Sequence, residues 1–222
     1  MSGEVLLITL IIVIIIVIII IVGICLLTKC CKKTEKFTET LGYANDDDPY
    51  DHRFILENLI SKEHAENIIN YSKDKLIDSE VVGGKAKSVR NSQQTWISKN
   101  HELVKPIFEY ISKAYNIPFE NAEDLQVVRY QPGQYYNEHH DSCCDNNDKC
   151  REFISRGGQR RLTVLVYLND GFGDGHTYFR NLDLKVKPGI GDAVVFYPLA
   201  KNSNKCHPFA LHAGTNVTSK EK

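Results

Sequence analysis

The sequence lacks a large net charge of either sign, because 27 lysine and arginine residues nearly balance 28 aspartate and glutamate residues, for a formal net charge of -1. It therefore offers no electrostatic argument for binding nucleic acid. The seven cysteines include no Cys-X-X-Cys pair, which is the usual element of a zinc cage. Outside an N-terminal apolar run, the chain shows no internal repeat or low-complexity tract. For 222 residues, these absences leave one domain with an appendage, or two small domains, as the expected organisation.

The N-terminus carries an almost unbroken apolar run from Val5 to Leu27. A helix of this length spans the hydrocarbon core of a bilayer, which is about 30 Å thick. Glu4 precedes the run and no Lys or Arg does, whereas a cleaved signal peptide has a basic front and a shorter apolar region. We therefore expect residues 1–28 to form a retained single-pass transmembrane anchor in contact with membrane lipid.

The residues that follow the run bear on the side of the membrane that the domain occupies. Lysines stand at positions 29, 32, 33 and 36, and the positive-inside rule then favours a cytoplasmic-facing domain. Two sequons, at Asn70 and Asn216, would matter only in a secretory lumen. Residues 29–50 are largely polar and lack apolar periodicity, so we interpret them as a juxtamembrane tether, with the folded domain at residues 51–222.

Helices are expected before strands in this domain. Amphipathic spacing predicts helices from Ser61 to about Leu76 and from about Glu102 to Tyr115, the second starting or kinking near Pro106. Residues 83–96 open with two glycines and predict a mobile loop that leads into a strand at 94–97. Further short strands, separated by turn signals, are predicted at 125–130, 135–141, 161–168, 183–187, 193–197 and 210–214. This order predicts a mainly β α+β domain, an antiparallel sandwich or barrel with helices against its outside.

The pair His139 and Asp141 is the clearest candidate for a chemical site. In a strand these two side chains share one face while His140 points to the other. An imidazole nitrogen beside a carboxylate oxygen forms two-thirds of a 2-His-1-carboxylate iron site. The second histidine would be His212, in a strand-like segment ending at a glycine, or His207, for which we expect a solvent-exposed loop.

Three stretches resemble, in matching order, the prolyl 4-hydroxylase branch of the iron(II)/2-oxoglutarate dioxygenases. They are Tyr130–Asp141 (YQPGQYYNEHHD), Gln159–Leu168 (QRRLTVLVYL) and Leu211–Lys222 (LHAGTNVTSKEK). The likeness is closest to compact single-domain enzymes of algae and large algal viruses, and it covers about residues 53–222. It implies a double-stranded β-helix, or jelly-roll, core with flanking N-terminal helices.

The resemblance also implies roles for individual residues. The residues that match the family's iron ligands are His139, Asp141 and His212. The residues that match its 2-oxoglutarate pocket are Lys222, Thr177 and Tyr130. The residues that fall where the family meets its peptide substrate are Arg90, Trp96 and Arg160. Alternatively, Arg90 and Arg160 are surface charges and Trp96 is a core anchor.

The chain departs from the family's pattern in three places. His176 stands where the family usually has Glu, and Asn216 and Lys220 replace the usual Pro and Gly after the distal histidine. Relatives continue past the position of Lys222 into another strand, so the resemblance predicts that a C-terminal, barrel-closing strand is missing from this sequence.

The cysteines of the domain allow more than one arrangement. Cys143, Cys144 and Cys150 follow the iron-ligand motif, and Cys206 precedes the second histidine. In an oxidising compartment we expect a disulfide in the loop, and otherwise ordinary thiols. Spacing alone does not choose a connectivity.

The resulting expectation is a membrane-anchored peptidyl-proline 4-hydroxylase. It would couple oxidative decarboxylation of 2-oxoglutarate to hydroxylation of proline in Pro-rich or collagen-like polypeptides, using Fe²⁺, O₂ and L-ascorbate. The alternatives are a hydroxylase of another side chain such as lysine, or a non-catalytic peptide-binding protein on the same fold. The resemblance implies an endoplasmic reticulum-type membrane, although the lysines after the apolar run favour a cytoplasmic-facing domain. No nucleic-acid partner is expected, and the sequence indicates no oligomeric state.

Overall fold

The computed structural model describes residues 41–51, 54–79 and 88–222. The predicted transmembrane anchor lies outside these residues, as do most of the predicted tether and the glycine-rich start of the loop at 83–96. Within the described ranges, no helix combines the length and the apolar character needed to cross a membrane.

Both predicted helices are present. Helix α1 spans Lys62–Ser72 and continues into a 3₁₀ turn at Lys73–Lys75. Ser61 caps it, because its hydroxyl oxygen accepts a hydrogen bond from the backbone N–H of His64 at 3.1 Å. Helix α2 spans Lys105–Tyr115, so it starts near Pro106 rather than kinking there, since Pro106 has no N–H to donate and is tolerated only in a first turn.

A third helix was not predicted. Helix α3 spans Asp148–Ser155 in the loop after the predicted iron ligands. The side-chain oxygen of Asn147 accepts from the backbone N–H of Cys150 at 2.9 Å and so caps its first turn. The eight-residue helix buries only Cys150, so its apolar periodicity is too weak to be recognised from sequence.

Short strands make up most of the described chain. They are β1 Gly42–Tyr43, β2 Phe54–Leu56, β3 Ile77–Asp78, β4 Gln93–Ile97, β5 Leu125–Arg129, β6 Tyr136–His139, β7 Thr163–Val166, β8 Gly173–Asp174, β9 Thr177–Phe179, β10 Leu184–Val186, β11 Ala193–Phe196, β12 Lys205–Cys206, β13 His212–Gly214 and β14 Val217–Ser219. Each strand predicted from the pattern corresponds to one of these; β4 begins one residue earlier than predicted, and the other six are shorter than predicted. Strands β1, β2, β3, β8, β9, β12 and β14 were not predicted, because two- and three-residue strands carry too little alternation to detect.

Two sheets build the centre of the domain. One has the order β10-β9-β13-β6 and the other the order β2-β11-β7, and all their pairings are antiparallel. Their inner residues pack into one apolar core, in which the rings of Phe179 on β9 and Phe196 on β11 meet edge to face, 5.2 Å between centroids. The prediction of a mainly β domain with a jelly-roll core is confirmed.

The helices pack on a separate antiparallel sheet of order β3-β4-β5. Ala65 and Ile68 of α1 and Ile107 of α2 are buried there with Ile97 and Val127 of the sheet. The helices therefore flank the strands as expected.

The folded domain includes residues that were assigned to the tether. Strand β1 pairs in parallel with β12, and Ala44 is buried. Farther along, the carbonyl oxygen of Pro49 accepts from the backbone N–H of Lys201 at 2.7 Å. Residues 41–51 thus cover one side of the domain, and the boundary lies before residue 51.

Gly191 joins the helical layer to the central sheets. Its carbonyl oxygen accepts from the N–H of Ile60 at 3.1 Å, its φ is +84°, and a Cβ here would lie 2.1 Å from the Ile60 carbonyl oxygen. We expect Gly191→Ala to destabilise the protein by roughly 2–4 kcal/mol, because it combines a left-handed backbone with a backbone clash. Gly171→Ala is the matched control, since nothing lies within 4 Å of its added Cβ. Equal urea midpoints for the two variants would contradict this account.

Candidate active site

Two neighbouring strands bring the three predicted iron ligands together. His139 on β6 and His212 on β13 are paired residues, and Asp141 follows β6 by two positions. The Nε2 atoms of His139 and His212 lie 3.5 Å and 3.8 Å from Oδ1 of Asp141. One ligand atom from each residue fits within 4.8 Å of the others, so two strand histidines and a carboxylate just beyond β6 converge on one point.

Hydrogen bonds orient all three candidate metal-binding side chains. Nδ1 of His139 lies 2.8 Å from the carbonyl oxygen of Asn137, and Nδ1 of His212 lies 2.9 Å from that of Ala210. A carbonyl only accepts, so each Nδ1 carries the proton and each Nε2 keeps its lone pair for a metal. The other carboxylate oxygen of Asp141 accepts from the hydroxyl of Thr163 at 2.7 Å.

The charge states also suit metal binding. Burial lowers the pKa of His212 to about 4, so its imidazole is neutral at neutral pH. Burial tends to raise the pKa of Asp141, but the neighbouring imidazoles of His212 and His139 outweigh it, and the pKa lies well below its ordinary value. Two neutral imidazole nitrogens and one carboxylate are the donor set of a facial iron(II) triad, which leaves three coordination positions open.

The neighbouring histidines have other environments. His140 lies outside the triad, as alternation predicted, with its ring 5.8 Å from that of Tyr43. The prediction that His207 is solvent-exposed is wrong, because residues of the presumed tether cover it. Its side chain is fully buried, its ring stacks on Tyr50 at 4.3 Å, and its Nε2 lies 3.1 Å from the carbonyl oxygen of Asp48.

The loop after Asp141 is cross-linked. Cys143 pairs with Cys150, and Cys144 pairs with Cys206. The second bridge ties this loop to β12, 62 residues away along the chain. His140, Cys144 and Cys206 form a second close group, but sulfur atoms joined in a disulfide are not thiolate ligands for a metal.

Lys222 is held beside the core rather than solvated. Its backbone N–H and carbonyl exchange two hydrogen bonds of 2.8 Å with those of Tyr130. Its ammonium donates to the carbonyl oxygen of Gly175 at 2.8 Å and lies 4.9 Å and 5.5 Å from the ring centroids of Tyr167 and Tyr130. Burial, and then the charge of Lys187, lower the pKa of Lys222 to about 8. The result is a cation in an aromatic pocket.

Thr177 belongs to the same pocket. It is buried on β9, and its hydroxyl oxygen lies 2.7 Å from that of Tyr167. Burial raises the pKa of Tyr167 to about 12, so this phenol stays protonated as a hydrogen-bond donor. Sequence reasoning missed Tyr167, although its position within the predicted strand at 161–168 placed it in the barrel.

The three predicted substrate residues have different positions. Arg90 is buried, donates to the Ser92 hydroxyl at 2.9 Å, and lies 4.7 Å over the ring of Tyr136. Tyr136 in turn stacks on His139 at 3.5 Å between centroids. Tyr136 therefore connects Arg90 to the candidate metal ligand His139. Because Arg90 is buried, the alternative that it is a surface charge does not apply.

Arg160 also approaches the triad, whereas Trp96 does not. Arg160 forms an ion pair with Glu123, and its Nη1 donates to the backbone carbonyl of Asp141 at 3.3 Å. Trp96 is 45% exposed on β4, so it is no core anchor. Among the described residues, no hydrogen bond, ion pair or ring contact joins Trp96 to the triad.

A surface groove of about 570 Å³ adjoins the triad. It is lined by Tyr135, Tyr136, Asn137, Glu138, Arg180, Ala213, Gly214, Thr215 and Asn216. Tyr136 links the groove to the metal ligands through its stacking on His139. Glu138 and Arg180 form an ion pair at 2.6 Å across it.

Comparisons with known proteins agree with this geometry. A family profile described as the 2OG-Fe(II) oxygenase superfamily matches residues 125–222. The "Putative prolyl 4-hydroxylase" of Acanthamoeba polyphaga mimivirus is 63% identical over 184 residues, which are 83% of this chain and 76% of that protein. "Prolyl 4-hydroxylase 1" of Arabidopsis thaliana is 31% identical over 76% of this chain and 65% of the plant protein.

A solved structure also matches. It is the viral collagen prolyl hydroxylase of Paramecium bursaria Chlorella virus-1 in complex with 2-oxoglutarate, with a TM-score of 0.61 and 32% sequence identity. The match covers 78% of this chain and 92% of that one. On this evidence, the chain belongs to the prolyl 4-hydroxylases of the 2OG-Fe(II) oxygenase superfamily and is an Fe(II)/2-oxoglutarate-dependent dioxygenase that uses Fe²⁺, 2-oxoglutarate and O₂.

Proposed function

We propose that this protein is a membrane-anchored peptidyl-proline 4-hydroxylase acting on Pro-rich or collagen-like polypeptides. The observation that carries the proposal is the convergence of His139, Asp141 and His212, with the part-buried cation of Lys222 in the same domain. The first group suits iron, and the second suits the distal carboxylate of 2-oxoglutarate.

The protein's own residues position the reactants. Bound iron, with 2-oxoglutarate and O₂, supplies an oxidant strong enough to remove hydrogen from an unactivated C–H bond. Lys222 would pair with the distal carboxylate. The hydroxyls of Thr177 and Tyr167 are hydrogen-bonded to each other, so one of the two would keep a proton to donate to the co-substrate beside it. The rings of Phe179 and Phe196, 5.7 Å and 4.8 Å from that of His212, exclude water from the inner side of the metal site.

The groove beside Tyr136 suits an extended proline-rich chain. A polyproline II segment has no internal hydrogen bonds and presents free carbonyl oxygens, which need donors. The rings of Tyr135 and Tyr136 in the groove offer apolar surface for proline rings, and Arg90 and Arg160, which lie beside the triad outside the groove lining, are the nearby N–H donors. A lysine substrate would need an unpaired carboxylate there, but Glu138 is already paired with Arg180. The groove therefore favours proline over lysine.

A peptide panel tests this proposal on the full chain in detergent micelles, supplied with iron, 2-oxoglutarate and L-ascorbate. We expect mass spectrometry to find one added oxygen on proline in a (Pro-Pro-Gly)-type peptide, with succinate formed in step. Matched peptides with alanine or lysine at the target position should remain unmodified. Oxygen on lysine would establish the alternative hydroxylase, and peptide binding without succinate would establish a non-catalytic binding protein. Either result would overturn the proline assignment.

The membrane setting belongs to the proposal as well. The apolar run at residues 1–28 supports a single-pass anchor, and the resemblance to prolyl 4-hydroxylases supports an endoplasmic reticulum-type membrane. The lysines at positions 29–36 favour a cytoplasmic-facing domain, whereas two disulfides favour an oxidising compartment. Protease digestion of sealed microsomes distinguishes the two orientations, because only a lumenal domain survives it.

A further inference from the structure

A second lysine stands close to the aromatic pocket of Lys222. The ammonium of Lys187, which follows β10, lies 4.2 Å from the ring centroid of Phe172 and donates to that residue's carbonyl oxygen. The ammonium of Lys222 lies 5.7 Å from the same ring. Phe172 is buried, so two like charges contact one apolar side chain.

Neither ammonium is neutralised by an acidic side chain. Within residues 41–51, 54–79 and 88–222, their hydrogen bonds go to the backbone carbonyls of Phe172 and Gly175 and to no carboxylate. The other titratable or charged groups around this pocket are His176 before β9, Asp174 on β8, Lys185 on β10, Tyr130 after β5 and Tyr167 after β7. Burial lowers the pKa of Lys222 most, and the positive charge of Lys187 is the next cause.

A pair of unneutralised ammonium groups is complementary to a dicarboxylate. One carboxylate of 2-oxoglutarate is taken up at the metal, and the distal one remains for the protein. The repulsion between two cations is relieved when an anion enters between or beside them, so both charges strengthen its binding. The same repulsion makes Lys222 easier to deprotonate while the pocket lacks the anion.

We propose that Lys187 is a positioning residue for 2-oxoglutarate, a second cation that strengthens binding of the distal carboxylate and limits that binding at alkaline pH. The inference rests on the proposed role of Lys222 as the anchor. Lys187 does not replace that anchor: it acts on the co-substrate and on Lys222 through its charge.

The test compares Lys187→Met with the charge-conserving control Lys187→Arg in the full-length protein. With Mn²⁺ in place of iron and no peptide, we measure 2-oxoglutarate affinity by calorimetry at about pH 7 and about pH 9. Near pH 7 we expect Lys187→Met to weaken binding about fivefold. Near pH 9 the deficit should disappear or reverse, because Lys222 of the variant stays protonated where that of the wild type does not. Lys187→Arg should behave as the wild type does at both pH values.

A second readout needs neither metal nor turnover. In metal-free protein labelled at lysine side-chain carbons, NMR follows the titration of Lys222, whose signal is identified by its loss in Lys222→Met. We expect Lys187→Met to move the titration midpoint upward by about one pH unit, and Lys187→Arg to leave it in place. A residue that acted only by holding the Phe172 carbonyl would not move this midpoint.

The outcomes separate the two ideas. An unchanged midpoint, or a binding deficit of the same size at both pH values, would overturn the role of Lys187. Normal 2-oxoglutarate affinity in Lys222→Met would overturn the anchor on which it rests. Weak binding in Lys222→Met together with normal binding in Lys187→Met would leave the anchor intact and refute only the second cation.

Discussion

Replacement of His212 by alanine is expected to abolish turnover, with a loss of at least about 1,000-fold, and to weaken Fe²⁺ binding by more than about 100-fold. His212 is buried on β13, directly opposite His139, and its lone pair faces Asp141. Without it, one carboxylate and one imidazole remain, and two donors do not hold iron against water. Metal content after dialysis and succinate formation measure the two effects.

The matched control for this experiment is His140→Ala. His140 stands between two of the proposed ligands in sequence but lies outside the group that converges with His212. We expect this variant to retain iron and most of its activity. If His140→Ala lost iron while His212→Ala kept it, the assignment of ligands by strand alternation would be wrong.

Replacement of Lys222 by methionine is expected to raise the KM for 2-oxoglutarate by about 100-fold, with a smaller effect on kcat. An unpaired carboxylate beside the rings of Tyr130, Tyr167 and Phe172 would lose a charge-assisted hydrogen bond and remain partly desolvated. Steady-state kinetics with 2-oxoglutarate varied at saturating peptide measure the change. Lys185→Met is the control, because Lys185 is an exposed lysine on β10 that lies over Tyr178 of the paired strand β9.

The pH dependence of 2-oxoglutarate affinity follows from the charge of Lys222. Burial and Lys187 lower the pKa of Lys222 to about 8, so the free enzyme loses this positive charge as pH rises through that value. Affinity for 2-oxoglutarate should therefore be greatest below about pH 8 and should fall above it, and in Lys222→Met this fall should be absent. A wild-type KM that stayed constant into the alkaline range would contradict a role for Lys222 in binding the distal carboxylate.

Much of the metal site could be predicted because strand alternation is a local property. The shared face of His139 and Asp141 follows from a period of two, and the structure places them as expected. The strand-like segment around His212 supplied the third donor, and the resemblance connected it to the first two. The local sequence pattern was therefore sufficient to identify candidate metal ligands on or next to regular strands.

Features that depend on tertiary packing could not be predicted. His207 is polar and precedes a proline, which locally favours an exposed loop, but residues 41–51 fold back over it. Tyr167 and Lys187 come close to the aromatic pocket of Lys222 only because β7 and β10 end near the segment that carries Lys222. The capped helix α3 lies in an irregular loop that has neither the helical nor the strand period of apolar residues, and the Cys144–Cys206 disulfide joins that loop to β12, 62 residues away.

The most direct test of the account follows the oxygen atoms of heavy-isotope dioxygen in a single incubation with the full chain, iron, 2-oxoglutarate and a Pro-rich peptide. The account predicts that one labelled oxygen appears as a hydroxyl group on proline and the other in succinate, in equal amounts, and that both are absent with His212→Ala. Succinate formed without labelled proline, or a label found on another side chain, would contradict it.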